Sequence, residues 1–276
     1  MKRSERLVDM TKYLMERPHK LIPLPFFVKR YGAAKSSISE DLAILKHTLA
    51  SNQDGILETL AGAAGGVRYI PFWGKSHAQE YLRELVELIE DPQRILAGGF
   101  VYLSDILCNP RYLDKIGKLI STRYAYSNID VVMTIETKGI PLAQVVAQYL
   151  NVPFIIARKH SKVTEGASVS VNYISSSLDR VSKMELPTRV LEENSNVLLV
   201  DDFMMAGGTL TGMQQLVKEF NSTIAGVCVL CEADFDDVKL IEGHLSLVKI
   251  EKVDSEKGNI VAQPGNIVDH TDFNRF

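Results

Sequence analysis

Three cysteines in 276 residues are too few, and odd in number, for a disulfide scaffold. No apolar run reaches the length that spans a bilayer, which excludes a transmembrane helix. Eighteen glycines and ten prolines exclude collagen-like and Pro/Gly low-complexity chains. The opening Met1-Lys2-Arg3-Ser4-Glu5-Arg6 has no small-residue cleavage site and leads into a mixed amphipathic segment rather than a secretory leader. These absences are those expected of a cytoplasmic protein. What remains is ordinary globular material, 46% hydrophobic and 24% charged, in a chain long enough for more than one small core.

Charge is divided unevenly. Residues 1–70 carry 11 Lys and Arg against 7 Asp and Glu, whereas the other 206 residues carry 20 against 27. A basic head on an acidic body points to two domains, expected at 1–74 and 75–276, with a polyanion as partner for the first. Leu7, Met10 and Leu14 recur at helical spacing behind Ser4, a candidate cap, and Pro18 ends that helix. A second short helix follows Pro23 and stops at Gly32. A third places Ile38, Leu42 and Leu45 on one face and gathers Lys35, Ser36, Ser37 and Ser39 at its start. Short polar side chains at a helix N-terminus suit close approach to phosphates and base edges. Two further apolar runs, Ile56–Leu60 and Val67–Ile70, flank Gly62-Ala63-Ala64-Gly65-Gly66 and predict a β-wing, with Arg68 facing the DNA backbone. The order of elements is that of a winged helix-turn-helix; a small helical packing module with serines as plain caps is the competing account. Trp73, in the Pro71-Phe72-Trp73-Gly74 junction, is expected to be a hydrophobic buttress.

From Ser76 onward the pattern is α/β. After a helix to about Glu90, short apolar strands at 129–134, 153–157, 196–200 and 224–230 alternate with helices at 139–150 and 208–220. That alternation predicts a parallel sheet covered on both faces, with ligands at the carboxyl ends of the strands. At one such end stands Val197-Leu198-Leu199-Val200-Asp201-Asp202-Phe203-Met204-Met205-Ala206-Gly207-Gly208-Thr209. Backbone N–H groups of Ala206, Gly207, Gly208 and Thr209 at a helix start would cradle a phosphate. Asp201 and Asp202 would repel that phosphate if they faced it, so they are expected to accept hydrogen bonds from sugar hydroxyls. A phosphate beside a diol describes a ribose 5-phosphate.

This segment resembles the motif with which type I phosphoribosyltransferases bind 5-phosphoribosyl-1-pyrophosphate (PRPP). Thr137-Lys138-Gly139 resembles their pyrophosphate loop, Arg158 and Lys159 end the next strand where cations would meet the pyrophosphate, and residues 162–171 resemble the loop and strand that cover the site. Taken together, Ala34–Leu42, Gly62–Val67, Lys162–Gly166 and Asp201–Met204 resemble the purine operon regulators of Gram-positive bacteria over residues 2 to roughly 250. The resemblance implies a homodimer that binds double-stranded operator DNA at purine biosynthesis and transport genes, with repression as the expected sign. It implies PRPP as an effector rather than a consumed substrate and no catalytic cofactor. It also implies guanine nucleotides as competitors and Tyr102 as a pocket-facing aromatic, and it leaves open whether Mg2+ accompanies the ligand. Met205 stands where relatives commonly carry a basic residue, and Glu136 adds negative charge beside the pyrophosphate loop.

Two other classes stay open at this point: a purine phosphoribosyltransferase of the xanthine type with an appended DNA-binding head, and a PRPP-sensing adaptor whose head binds protein. The phosphate loop contains no acid near the base position, which argues against the enzyme. Cys228 and Cys231 imitate a CxxC, but on a strand they are expected on opposite faces. No metal site is expected, since the six histidines show no ligand spacing. Asp234-Phe235-Asp236-Asp237 is expected to start a helix, and the residues beyond Glu251 are expected to form a patternless tail.

Overall fold

A computed structural model describes residues 1–62, 65–160, 166–175, 180–233 and 241–275. The basic head contains α1 (Arg3–Met15), β1 (Ile22–Pro23), α2 (Leu24–Tyr31), α3 (Lys35–Ser51), β2 (Asp54–Leu60) and β3 (Gly66–Trp73). The strands pair antiparallel in the order β1-β3-β2, so three helices and a two-stranded wing form the expected winged helix-turn-helix. Met10, Leu14, Phe27, Ile38, Leu42 and Leu45 close its core. Ser4 does not cap α1: the helix begins one residue earlier, where Glu5 accepts the backbone N–H of Lys2 at 2.8 Å. Gly32 ends α2 in the left-handed conformation, at φ +58°.

The body begins with α4 (Lys75–Ile89), followed by α5 (Ser104–Leu107), α6 (Pro110–Tyr124), β4 (Val131–Ile135), α7 (Gly139–Leu150) and β5 (Phe154–Ala157). A hairpin of β6 (Ser168–Ser175) and β7 (Arg180–Pro187) precedes β8 (Asn196–Met204), α8 (Gly208–Glu219), β9 (Thr223–Ala233), β10 (Leu245–Asp254) and β11 (Asn259–Pro264). Six strands form one sheet in the order β11-β10-β9-β8-β4-β5; all neighbours are parallel except the β11 edge. The central strand explains why alternation is missing from its sequence. Leu198 and Val200 face the cluster under α4, α6 and α7, while Val197 and Leu199 face the cluster under α8 and the hairpin.

Two expectations are corrected. The polypeptide beyond Glu251 is no loose tail: β10 and β11 form a hairpin, Ile260, Ile267 and Val268 are buried, and Phe273 packs on Phe72 at the base of the head. Strand β8 does not end at Val200 but stays paired with β9 out to Met204, carrying the acidic pair and the next two residues within the sheet. Cys228 and Cys231 both pack into one apolar cluster, and β9 keeps regular pairing with both neighbours across the two positions. Both thiols are free, and burial raises them, Cys228 to about 12. The acidic turn at 234–237 lies outside the described residues.

Trp73 meets its expectation as a buttress. Its ring packs edge-on against Tyr81 of α4, its Nε1–H donates to Asp54 at 2.9 Å, and its backbone N–H donates to Thr122 of α6 at 3.0 Å.

Candidate functional site: a sugar-phosphate pocket and a helix-and-wing face

Strands β4, β5 and β8 deliver the predicted groups to one end of the sheet. Gly207 takes φ +88°, a conformation that favours glycine, and turns the polypeptide so that α8 starts at Gly208. A cavity of about 200 Å3 sits on that start, lined by Phe203, Met204, Met205, Gly207, Gly208, Thr209, Leu210 and Phe100. Ala206 stands partly exposed in the same turn.

The acidic pair divides its work. Asp201 is almost fully buried, and its carboxyl accepts the backbone N–H of Asp202 at 3.0 Å. Burial drives the Asp201 carboxyl well up, the charge of Asp202 adds to this, and Lys159 opposes it. Burial also raises Asp202, while its hydrogen bond with Asp201 and the charge of Lys138 pull it down. The charges of the two lysines picked from sequence are thus felt at the two aspartates picked from sequence. Thr137 and Lys138 are exposed and Gly139 is buried at the start of α7. A methyl group at Gly139 would lie 2.1 Å from Thr134 Oγ1 and 2.9 Å from Asp201 Oδ1, so only glycine lets α7 approach this closely. The Thr134 hydroxyl is buried without a hydrogen-bond partner beside that contact.

Glu136 does not oppose an anion here. Its carboxylate accepts the backbone N–H of Lys159 at 2.9 Å and pairs with Arg158 at 3.2 Å, turning back onto the end of β5. Arg158 is further tied by backbone bonds to Glu185 of the hairpin. Of the aromatic residues in the 98–102 segment, Phe100 and not Tyr102 lines the cavity, where it joins Phe203. Gly98 and Gly99, both at positive φ, make a tight turn that leaves the Phe100 ring half exposed over the phosphate loop. Tyr102 is 43% exposed but does not line the cavity. The signal was the Gly-Gly pair itself, which fixes where the polypeptide reverses. Of the covering segment, residues 161–165 lie outside the described set.

On the head, Lys35, Ser36 and Ser39 are exposed at the start of α3 and Ser37 is half-buried. Ala34 holds the cap position without a side-chain bond, and the Ser39 hydroxyl donates back to Lys35 O at 3.0 Å. The serines therefore do not cap, and the first N–H groups of α3 stay available. A groove of about 740 Å3 separates α3 from the wing, lined by Lys35, Ser39, Lys46 and the small residues of the wing. Arg68 is engaged elsewhere: its guanidinium pairs with Glu58 across the wing strands at 2.6 Å. The recognition helix is itself anchored by Asp41, whose fully buried carboxylate accepts from Arg6 at 2.5 Å and Arg3 at 3.0 Å.

Comparison with known proteins decides the family. Residues 2–71 match the model described as bacterial purine repressor, N-terminal, and residues 103–262 match the phosphoribosyl transferase domain. The chain is 50% identical to the purine biosynthesis transcriptional repressor PurR of Bacillus subtilis (strain 168), over 97% of this chain and 94% of the relative. It belongs to the PurR family of purine biosynthesis regulators. A second member, the purine biosynthesis transcriptional activator PurR of Lactococcus lactis subsp. lactis (strain IL1403), is 47% identical over 97% of this chain and 98% of the relative. The two relatives are named for opposite signs at nearly equal identity, so membership in the PurR family fixes the class of regulator and not its sign. In fold, the body aligns with adenine phosphoribosyltransferase from Thermoanaerobacter pseudethanolicus ATCC 33223 at a TM-score of 0.51 and 20% identity, covering 61% of this chain and 99% of that one.

Proposed function

We propose that this PurR-family protein is a cytoplasmic, homodimeric regulator whose head, residues 1–74, binds operator DNA and whose body, residues 75–276, senses PRPP without consuming it. One observation carries the effector reading: two adjacent carboxylates, Asp201 and Asp202, held on the paired end of β8 beside a helix start opened by the left-handed Gly207. The N–H groups from Ala206 to Thr209 take the 5-phosphate, and Asp201 and Asp202 accept from the ribose hydroxyls. The upward shift at Asp201 makes a second negative charge at that point costly, which favours its use as a hydroxyl partner next to an anion. Thr137, Lys138 and the Gly139 backbone, with Lys159 and Arg158, take the pyrophosphate. Guanine nucleotides share the ribose and phosphate chemistry and would compete for the cradle.

Catalysis is not part of the proposal. The loop Phe203-Met204-Met205-Ala206 brings only apolar side chains to the cavity and no acid to serve a departing or arriving base. The DNA face is the start of α3, with Lys35, Ser36, Ser37 and Ser39, and the neutral wing beside it. Arg68 joins this face only by exchanging Glu58 for a phosphate. PRPP acts by linkage, shifting the dimer between arrangements that hold two half-sites and arrangements that do not.

The test is a fluorescence-anisotropy titration of DNA upstream of purine genes, with and without PRPP, beside an assay for nucleotide and pyrophosphate with each purine base. Operator affinity that changes with PRPP, and no turnover, is expected. Robust turnover overturns the sensor reading, and unchanged operator affinity overturns the linkage.

A further inference from the structure

Helix α6 carries three polar side chains at intervals of four residues, which places them along one face. Asp114 accepts the Tyr149 hydroxyl, near the end of α7, at 2.5 Å. Lys118 donates to the carboxylate of Asp54, the first residue of wing strand β2. Thr122 Oγ1 accepts the backbone N–H of Trp73, the last residue of wing strand β3, at 3.0 Å, and donates to Lys118 O at 2.8 Å. Asp54 takes the Trp73 indole N–H on the same oxygen that meets Lys118. One helix face thus holds α7 at one point and both strands of the wing ribbon, at its base, at two others.

Helix α7 joins this row to the effector pocket. Its first residue, Gly139, is packed against Thr134 and Asp201, and Tyr149 stands ten residues on. A ligand that alters the approach of α7 to β4 and β8 therefore moves a rod whose far end is tied to α6. Lys118 is the narrow point of the route. Its side chain is 9% exposed and it lines both grooves that separate head from body, of about 790 and 480 Å3. Removing an enclosed ammonium from its carboxylate is costly, so this contact tends to be made or broken and not stretched.

We infer that Lys118 is a positioning residue through which the effector pocket sets the pose of the DNA-binding head, with Tyr149–Asp114 as the input contact and Asp54 as the output. The inference rests on the reading of PRPP as effector and adds its route. A contiguous set of contacts becomes a coupling route only when breaking it changes the coupling, so coupling is the quantity to measure.

The full-length protein and two variants, Lys118→Met and Tyr149→Phe, are titrated with purine-gene operator DNA at zero and saturating PRPP, and with PRPP alone by calorimetry. Methionine keeps the stem that packs against the junction, and phenylalanine removes only a hydroxyl. Expected is a PRPP affinity within twofold of the parent protein in both variants, with the PRPP-induced change in operator affinity reduced to a third or less of the parent's. A merely structural role would lower operator affinity equally with and without PRPP and leave their ratio intact, which overturns the inference. Should Lys118→Met fail to melt cooperatively, Tyr149→Phe alone decides. Absence of heat with PRPP in the parent protein overturns the effector reading itself, a result distinct from an unchanged ratio in the variants.

Discussion

Gly139→Ala is the sharpest test of the pocket, because two opposed effects of known size meet there. Gly139 has an ordinary helical backbone, so alanine carries no conformational penalty and, in an open helix, would stabilise by about 1 kcal/mol. Against this, the new methyl would sit 2.1 Å from Thr134 Oγ1 and 2.9 Å from Asp201 Oδ1, where ordinary contact begins near 3.4 Å. Thr134 is fully buried in the middle of the sheet and Asp201 nearly so, so neither can swing into solvent. Overpacking a well-filled site costs about 1–3 kcal/mol. The helix gain is smaller at a first position than in an interior, so the clash prevails. We expect a net loss of about 1–2 kcal/mol in urea unfolding followed by circular dichroism, and, with the same strain felt in the bound state, a loss of PRPP affinity of about five- to thirtyfold, each 1.4 kcal/mol being tenfold.

The cause can be isolated. Thr134→Ala removes the nearer oxygen, which has no hydrogen-bond partner to lose. If the methyl–hydroxyl collision sets the cost, the double variant recovers most of the stability lost by Gly139→Ala, with a coupling energy of about 1 kcal/mol in the double-mutant cycle. A Gly139→Ala protein as stable as its parent, or a double variant showing simple additivity, refutes the close-packing account of the pyrophosphate loop.

On the head, burial by itself would raise the Asp41 carboxyl, but hydrogen bonds from Arg6 and Arg3 outweigh it and hold the pKa below the ordinary value. A depressed folded value stabilises above the unfolded pKa, near 3.9, and the benefit disappears as pH falls through the folded value. Asp41→Asn should therefore destabilise at neutral pH, and the gap from the parent should close in acid unfolding curves below about pH 4; a gap independent of pH contradicts this. Lys35→Ala should weaken every DNA sequence similarly and reduce the slope of log affinity against log salt by about 0.9. An unchanged slope removes Lys35 from the phosphate contacts. Phe273 packs edge-on against Phe72 and is half-buried, so Phe273→Ala should cost about 1–2 kcal/mol by area burial. No measurable change would return the C-terminal segment to a loose tail.

How much was legible follows from where the controlling forces act. The recognition helix, the wing, the parallel strands and the phosphate loop all announce themselves locally, through spacing of apolar residues and through Gly207 and Gly208 at a helix start. Spacing falls silent wherever a partner distant in sequence decides the outcome. Arg68 looks like a free cation until Glu58, on the neighbouring strand, claims it. Glu136 looks like an obstacle to an anion until the end of β5 turns it aside. The hairpin of β10 and β11 is invisible as alternation, because its apolar residues pack partly on the sheet and partly on α4, so no single period governs them. Strand β8 runs past its apolar stretch because β9 keeps pairing with it, which carries Asp201 and Asp202 on a rigid element instead of a loop. That last difference matters for function. A loop could adapt its carboxylates to many ligands, whereas a paired strand holds them at fixed spacing; under the proposed sensor reading, this lets metabolite binding be converted into a defined displacement of α7 instead of being absorbed by local rearrangement.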